Sequence, residues 1–161
     1  MRRDERERKR MEAPVAAPQG GFMAATISID TQRPREFIDL TDQICDEIRR
    51  SGVRNGIAIV ASQHTTAAII VNEHEPELLK DLDAFLCRLA PVEHQYAHNA
   101  IPCPPTEQPN GHSHCQGLVL PTSTTIPIVD GRPMLGQYQR IFLVELDCPR
   151  PRKVAMTVMG N

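Results

Sequence analysis

The sequence predicts an α+β fold with a largely antiparallel sheet and two main α-helices. Two helical apolar repeats are set apart by β-rich runs early in the chain, and the C-terminal third reads as strands joined by short turns. No internal repeat is present, and 161 residues without eight strand–helix units rule out a (β/α)8 barrel. Aromatic residues make up only 4% of the chain and tryptophan is absent, so the core has to be aliphatic.

The elements follow in order. Residues 1–22 start MRRDERERKR and run into Ala, Pro and Gly with almost nothing to bury, so they are expected to form a disordered N-terminal extension. Asp4, Glu5 and Glu7 interrupt its arginines, which argues against a targeting arm. It also raises the alternative of a start codon upstream of the working one at Met23. A single domain is expected over residues 23–161. ATISID alternates Ile27 and Ile29 with polar residues, as a first strand does. Asp30 or Thr31 is placed to cap a helix in which Phe37, Leu40, Ile44 and Ile48 recur at helical spacing, with Gly52 as a left-handed terminator.

NGIAIVAS and TTAAIIVN are separated only by Gln63 and His64, a join that predicts a hairpin or a bent continuous strand and puts His64 at a strand end. PELLKDLDAFLCRLAP repeats Leu78, Leu82, Phe85, Leu86 and Leu89, an amphipathic helix with Pro76 in its first turn and Pro91 after its end. Residues 91–112 hold five prolines and no periodicity and read as a long loop. The runs GLVLPT, TTIPIV, YQRIFLVELD and RKVAMTVMG then read as strands, with a turn at DGRP.

Composition narrows the function. A formal charge of −2 and few aromatics give no electrostatic or stacking reason to bind nucleic acid. No apolar run approaches the roughly 18 residues of a membrane span, and the N-terminus lacks the apolar stretch of a secretory signal, so a cytoplasmic protein with a small-molecule partner is expected. Cys45, Cys87, Cys103, Cys115 and Cys148 are odd in number and lack CxxC spacing, which argues against a disulfide framework and a four-thiolate zinc site. Most of them read as small buried hydrophobes.

The chemistry-bearing candidates are side chains at strand ends and on loops, namely His64, His98, His112 and His114. On an extended backbone, the HxH of residues 112–114 would point both rings to one side, as two cis ligands to a borderline ion do. The competing reading is a solvated turn. Thr65 and Thr66 could donate to a phosphate or orient the His64 ring, although threonine pairs are common in strands. Glu75 and Glu77 stand at a helix start, where a capping role is sufficient. Glu145 and Asp147 share one face of a strand end, followed by Arg150, Arg152 and Lys153, a combination able to bind a phosphorylated compound and a divalent ion or simply to lie in solvent. GxxxxGK[ST], GxGxxG after a strand, GxSxG and HExxH are absent, which removes the commonest nucleotide, hydrolase and metalloprotease readings.

Taken together, SQHTTAAIIVNEHEPELLKDL, YAHN, NGHSH and GQYQRIFLVELDCPRPRKV resemble the YjbQ/UPF0047 family, whose usual forms are HTT, NE, YxH, NADAH and a GxxQ…D.PR.R segment. The likeness runs from about residue 23 to residue 161. It implies a trimeric α+β protein with a histidine-containing pocket, some members being described as secondary thiamine-phosphate synthases. It further implies an imidazole cluster of His64, His98 and His114, serving in catalysis and as ligands of a divalent metal, zinc or magnesium. Asp147 and Gln139, at positions characteristic of the family, join them as a catalytic and a binding residue, and the reading of the residues themselves adds Arg150, Arg152, Thr65 and Thr66 as binding residues. Asn72, Glu73, Asp81 and Asn110 match other characteristic polar positions. The chain departs from the family at His112, where aspartate is usual, and at Gly111, where alanine is usual; the first exchanges a carboxylate for a second imidazole.

The expected function is therefore a small metabolic enzyme with a histidine-lined, metal-binding site acting on a phosphorylated small molecule, with thiamine-phosphate synthase, a transferase, as the specific form. The alternatives are a metal-dependent hydrolase of a small molecule and a non-catalytic trimeric binding protein. A cupin-like reading of HxH fails because no glutamate and glycine follow at suitable distances.

Overall fold

The computed structural model describes residues 20–102, 104 and 107–161. The order is β1 (Gly21–Asp30), β2 (Glu36–Asp39), α1 (Thr41–Ser51), β3 (Gly56–Ser62), β4 (Ala67–Glu73), α2 (Pro76–Leu89), a 3-10 turn (Ala97–Ala100), α3 (Gly111–Val119), β5 (Ser123–Val129), β6 (Arg132–Pro133), β7 (Gln139–Glu145) and β8 (Pro151–Gly160). A five-stranded sheet has the order β1-β8-β3-β5-β6, and a three-stranded sheet the order β2-β7-β4. Every pairing is antiparallel. The expected α+β class is what the chain adopts.

The alternation of β7 explains how the layers stack. Ile141 and Leu143 point into the main core, with Val60 of β3, Ile126 and Ile128 of β5, Met156 and Val158 of β8, and Ile44 and Ile48 of α1. Phe142 and Val144 point the other way and join Ala68 of β4 and Leu86 of α2 in a second cluster. A strand apolar on both faces has to be covered on both faces, and here α2 covers the outer one.

Local signals account for most boundaries. The Glu75 side chain accepts the N–H groups of Glu77 and Leu78 at 2.9 and 2.6 Å and so caps α2, with Pro76 behind it where a missing N–H costs nothing. Gly52 ends α1 at φ 71°, as expected of a left-handed cap. Asp130 and Gly131, at φ 50° and 75°, form the tight turn between β5 and β6.

Three expectations are corrected. The helix foreseen from Asp30 or Thr31 starts only at Thr41, and Phe37 lies in a strand instead. Pro34 and the left-handed Arg35 (φ 50°) interrupt the path, and the Asp39 carboxylate takes the Thr41 N–H at 2.9 Å. The join at Gln63–Thr66 is not a hairpin: it carries the chain from the five-stranded sheet to the three-stranded one. None of GLVLPT is strand: residues 111–119 are helical and β5 starts only at Ser123, with Gln116 Nε2 donating to the carbonyls of Leu86 and Ala90 at the end of α2, both at 3.1 Å.

The first strand already begins at Gly21, slightly ahead of the expected boundary. The extension expected at residues 1–22 otherwise lies, for residues 1–19, outside the described residues, as does Cys103. Cys45, Cys87 and Cys148 are half-buried and Cys115 is exposed, so the described cysteines are less enclosed than the small buried hydrophobes most of them were expected to be. Among the described residues no helix is long and apolar enough to cross a membrane.

Candidate functional site

The join between β3 and β4, the 3-10 turn, the start of α3 and the start of β8 line a cavity of about 440 Å³. Its lining includes His64, His98, His114, Asn110, Arg150 and Arg152. Three rings separated widely in sequence thus face one space, each delivered by a different device.

His64 is fixed by the sheet. Beyond the last β3–β8 pair, Gln63 N–H donates to the Lys153 carbonyl at 3.1 Å, and the Lys153 N–H donates to His64 Nε2 at 2.7 Å. The imidazole occupies the place that the next carbonyl of the ladder would take. Ser62 Oγ holds the turn by accepting the His64 N–H at 3.2 Å. Burial, then the charges of Arg152, Arg150 and Lys153, lowers the His64 pKa, against an opposing pull from Glu145.

His98 and His114 meet edge to face, with ring centroids 4.8 Å apart. His98 sits on the 3-10 turn and His114 on the first turns of α3, and Gly111 lets the two segments close. A Cβ at residue 111 would stand 2.5 Å from Tyr96 Cβ and 3.0 Å from Asn99 Oδ1, the atom that accepts the Gly111 N–H at 2.9 Å.

The HxH expectation is overturned by the helix. At 100° per residue, positions 112 and 114 lie about 200° apart. His114 turns to the cavity, whereas His112 turns inward and is only 7% exposed. Ser113 Oγ donates to the Leu146 carbonyl at 2.7 Å, so its 3.1 Å contact with His112 Nε2 requires the proton on that nitrogen. His112 Nδ1 is buried with no partner among the described residues, and burial lowers the ring's pKa.

Beneath the cavity lies a dry polar network. Glu145 is fully buried and Arg152 is 2% exposed. Arg152 Nε donates to Glu145 Oε2 at 2.6 Å, and its NH2 group donates to Glu145 Oε1 and, at 3.1 Å, to Thr66 Oγ1. The Asp147 N–H reaches Glu145 Oε1 at 2.9 Å, and the Thr31 hydroxyl reaches Oε2 at 3.0 Å while accepting the Arg150 N–H at 2.9 Å. Arg152 and Thr66 are therefore committed to the floor of the cavity. Arg150 is less enclosed. Its NH2 group lies 2.8 Å from Asp147 Oδ2 and 2.7 Å from Cys148 Sγ, and Asp147 Oδ2 also receives Asn110 Nδ2 at 2.9 Å. The nearly buried Asp147 acts as a tie between Arg150 and the start of α3.

Of the residues singled out from sequence, His64, Thr65, Thr66, His98, His114, Arg150 and Arg152 gather at the cavity. Gln139 does not. It starts β7, roughly 20 Å from Glu145 at the rise of an extended strand, and its Oε1 accepts the Gly136 N–H at 2.8 Å. Gln63 and Glu107 also line the cavity and carried no sequence signal, and Thr31, just past the end of β1, supports its floor. Among the described residues, no three His, Cys, Asp or Glu side chains are placed to hold a metal ion. With His64 Nε2 already engaged, the three rings share a cavity without forming a three-nitrogen ligand set.

Fold and cavity together define a class: small α+β proteins of two antiparallel sheets that gather histidines and an arginine where the sheets and a short helix meet. The chain belongs to the family described as UPF0047 protein YjbQ-like, whose match covers residues 25–161. It is 40% identical to a UPF0047 protein of Methanothermobacter thermautotrophicus over 84% of this chain and 90% of that one. Bacillus subtilis YugU, also a UPF0047 protein, is 29% identical over 86% of this chain and all of its own. Among solved structures, a YbjQ-like protein of unknown function from Sulfolobus solfataricus superposes with a TM-score of 0.82 at 32% identity, covering 88% of this chain and 99% of that one. A hypothetical protein from Aeropyrum pernix superposes at 0.80 and 33% identity, covering 86% and 99%.

Proposed function

We propose that the chain is an enzyme acting on a phosphorylated small molecule in the cavity of His64, His98 and His114, with thiamine-phosphate synthesis as the specific reaction. The observation that carries this reading is the convergence of three imidazoles and Arg150 from separate segments on one polar cavity of about 440 Å³. In that reaction the C–O bond of a pyrimidine methyl diphosphate breaks, pyrophosphate leaves with the electron pair, and the thiazole nitrogen forms the new C–N bond. Arg150 is the cation placed to meet the leaving phosphates, and His64 offers a neighbouring polar contact. Zinc or magnesium, if bound, would sit against His98 and His114 and neutralise phosphate charge.

The assembly proposed is a homotrimer in the cytoplasm. Exposed Phe85, Leu89, Leu118 and Val119 are apolar side chains that such an assembly would cover.

Pyrophosphate release is the deciding measurement. It should require both thiamine precursors and fall at least about 100-fold in His114→Ala, the range lost when a group stabilising developing charge is removed. Product formed from one precursor and water would replace the transferase by a hydrolase. No turnover, with a lowered melting temperature in His114→Ala, would replace both by a binding protein. Metal analysis of the wild type and of His114→Ala tests the ion, and light scattering tests the trimer.

A further inference from the structure

We infer that His64 serves the cavity as a neutral hydrogen-bond donor, its proton held on Nδ1 and offered to an oxyanion of the ligand. The ladder between β3 and β8 fixes the tautomer of the ring. The Lys153 N–H points at His64 Nε2 from 2.7 Å, so that nitrogen must present a lone pair. A neutral imidazole has one proton, which therefore resides on Nδ1, the nitrogen without a hydrogen-bond partner among the described residues on a side chain that lines the cavity. Neither His98 nor His114 receives a backbone N–H among the described residues, so this constraint belongs to His64 alone of the three.

The surroundings reinforce the neutral state. Burial and the nearby Arg152, Arg150 and Lys153 disfavour a cationic ring, with Glu145 opposing them. Two roles are thereby closed to His64 in this arrangement. It cannot accept a proton through Nδ1, which already carries one, and Nε2 is closed to a metal while the Lys153 bond stands. What remains is donation to a phosphate, diphosphate or carboxylate oxygen beside Arg150, with no proton transfer needed.

This inference rests on the cavity being a ligand site, as proposed above, but its first test does not. In protein labelled with 15N-histidine and free of ligand, two-bond 15N–1H spectra at mildly alkaline pH should show His64 with a protonated Nδ1 and a bare Nε2. The opposite tautomer overturns the inference whatever the cavity binds.

The second test uses inorganic pyrophosphate as the probe, followed by calorimetry. In His64→Asn the amide nitrogen can stand where Nδ1 stood and keep the donor, whereas in His64→Gln the amide oxygen stands where Nε2 stood and keeps only the Lys153 contact. Affinity should stay within about threefold of wild type in His64→Asn and weaken by about tenfold or more in His64→Gln, the loss expected for one hydrogen bond to a charged group. The reverse order would overturn the role of Nδ1. If the wild type fails to bind pyrophosphate, the anion-site reading of the cavity falls, and the spectra alone decide the tautomer.

Discussion

Strand β7 carries an acid–base cluster at each end, and the two differ chiefly in access to water. At its C-terminal end Glu145 and Arg152 are dry and saturated by Thr31, Thr66 and the Asp147 N–H. At its N-terminal end Arg140 donates to Asp39 at 2.7 Å and to Asp42 at 3.1 Å, and His74 Nδ1 lies 3.0 Å from Asp39, with Arg140 36% and Asp42 87% exposed in their side chains. The same kinds of group are therefore rigid underpinning in one place and ordinary surface electrostatics in the other. The dry cluster underlies the cavity that gathers the three histidines, where fixed geometry has a use, whereas at the other end only His74 of the cluster lines a pocket.

The largest effect is expected for Arg152→Met. It leaves a buried carboxylate without its partner, and should cost about 3–5 kcal/mol in urea unfolding. Adding Glu145→Leu should restore most of that loss, because an apolar pair of similar volume needs no charge compensation. A single variant within about 1 kcal/mol of wild type would show that water reaches Glu145 and that the floor is not dry.

Acid titration sharpens the contrast at the other end. Partial burial works against ionisation of Asp39, but hydrogen bonds from Thr41, Arg140 and His74 prevail and bring its pKa from 3.8 down to about 2. A depressed folded-state pKa stabilises above the ordinary carboxylate value, and the contribution is lost as pH falls from about 4 to about 2. That contribution, about 1–2 kcal/mol once solvent screening at this partly exposed site is allowed for, should vanish from the stability–pH curve of Asp39→Asn. An unchanged curve between pH 4 and 2 would contradict it. The smallest effect is expected for Arg140→Ala, at most about 1 kcal/mol and shrinking further in high salt, as differential scanning calorimetry at two ionic strengths would show.

Legibility from sequence followed the range of the interactions. The α2 helix was readable because its apolar spacing, its Glu75 cap and Pro76 are all local, and the hairpin at Asp130–Gly131 was readable for the same reason. His64 at a strand end was also apparent from the β-rich runs around it. Strand β2 was hidden, since Phe37 fits a helical repeat with Leu40 and Ile44 as well as it fits a strand, and only pairing with β7 decides between them. Helix α3 was hidden too, because GHSHCQGLV has neither a side-chain cap nor a strong apolar face, and its stability comes from bonds to Leu146, Leu86 and Ala90 in other elements. That hidden helix is why the HxH pair misled: the rotation between positions 112 and 114 depends on the backbone they occupy.

By itself the sequence determined the class of fold, the apolar faces of α1 and α2, the turn chemistry and the residue types able to handle a phosphorylated ligand, since each follows from spacing over one or two turns of chain. Tertiary structure alone decided that Gln139 lies apart from the cavity, that His112 turns inward, that Arg152 is committed to Glu145, and which nitrogen of His64 holds the proton. Those outcomes depend on how separate elements pack, as when β8 brings Lys153 to His64, 89 residues away in the chain. A ring or a guanidinium acquires its role from what it faces, and no local pattern encodes that.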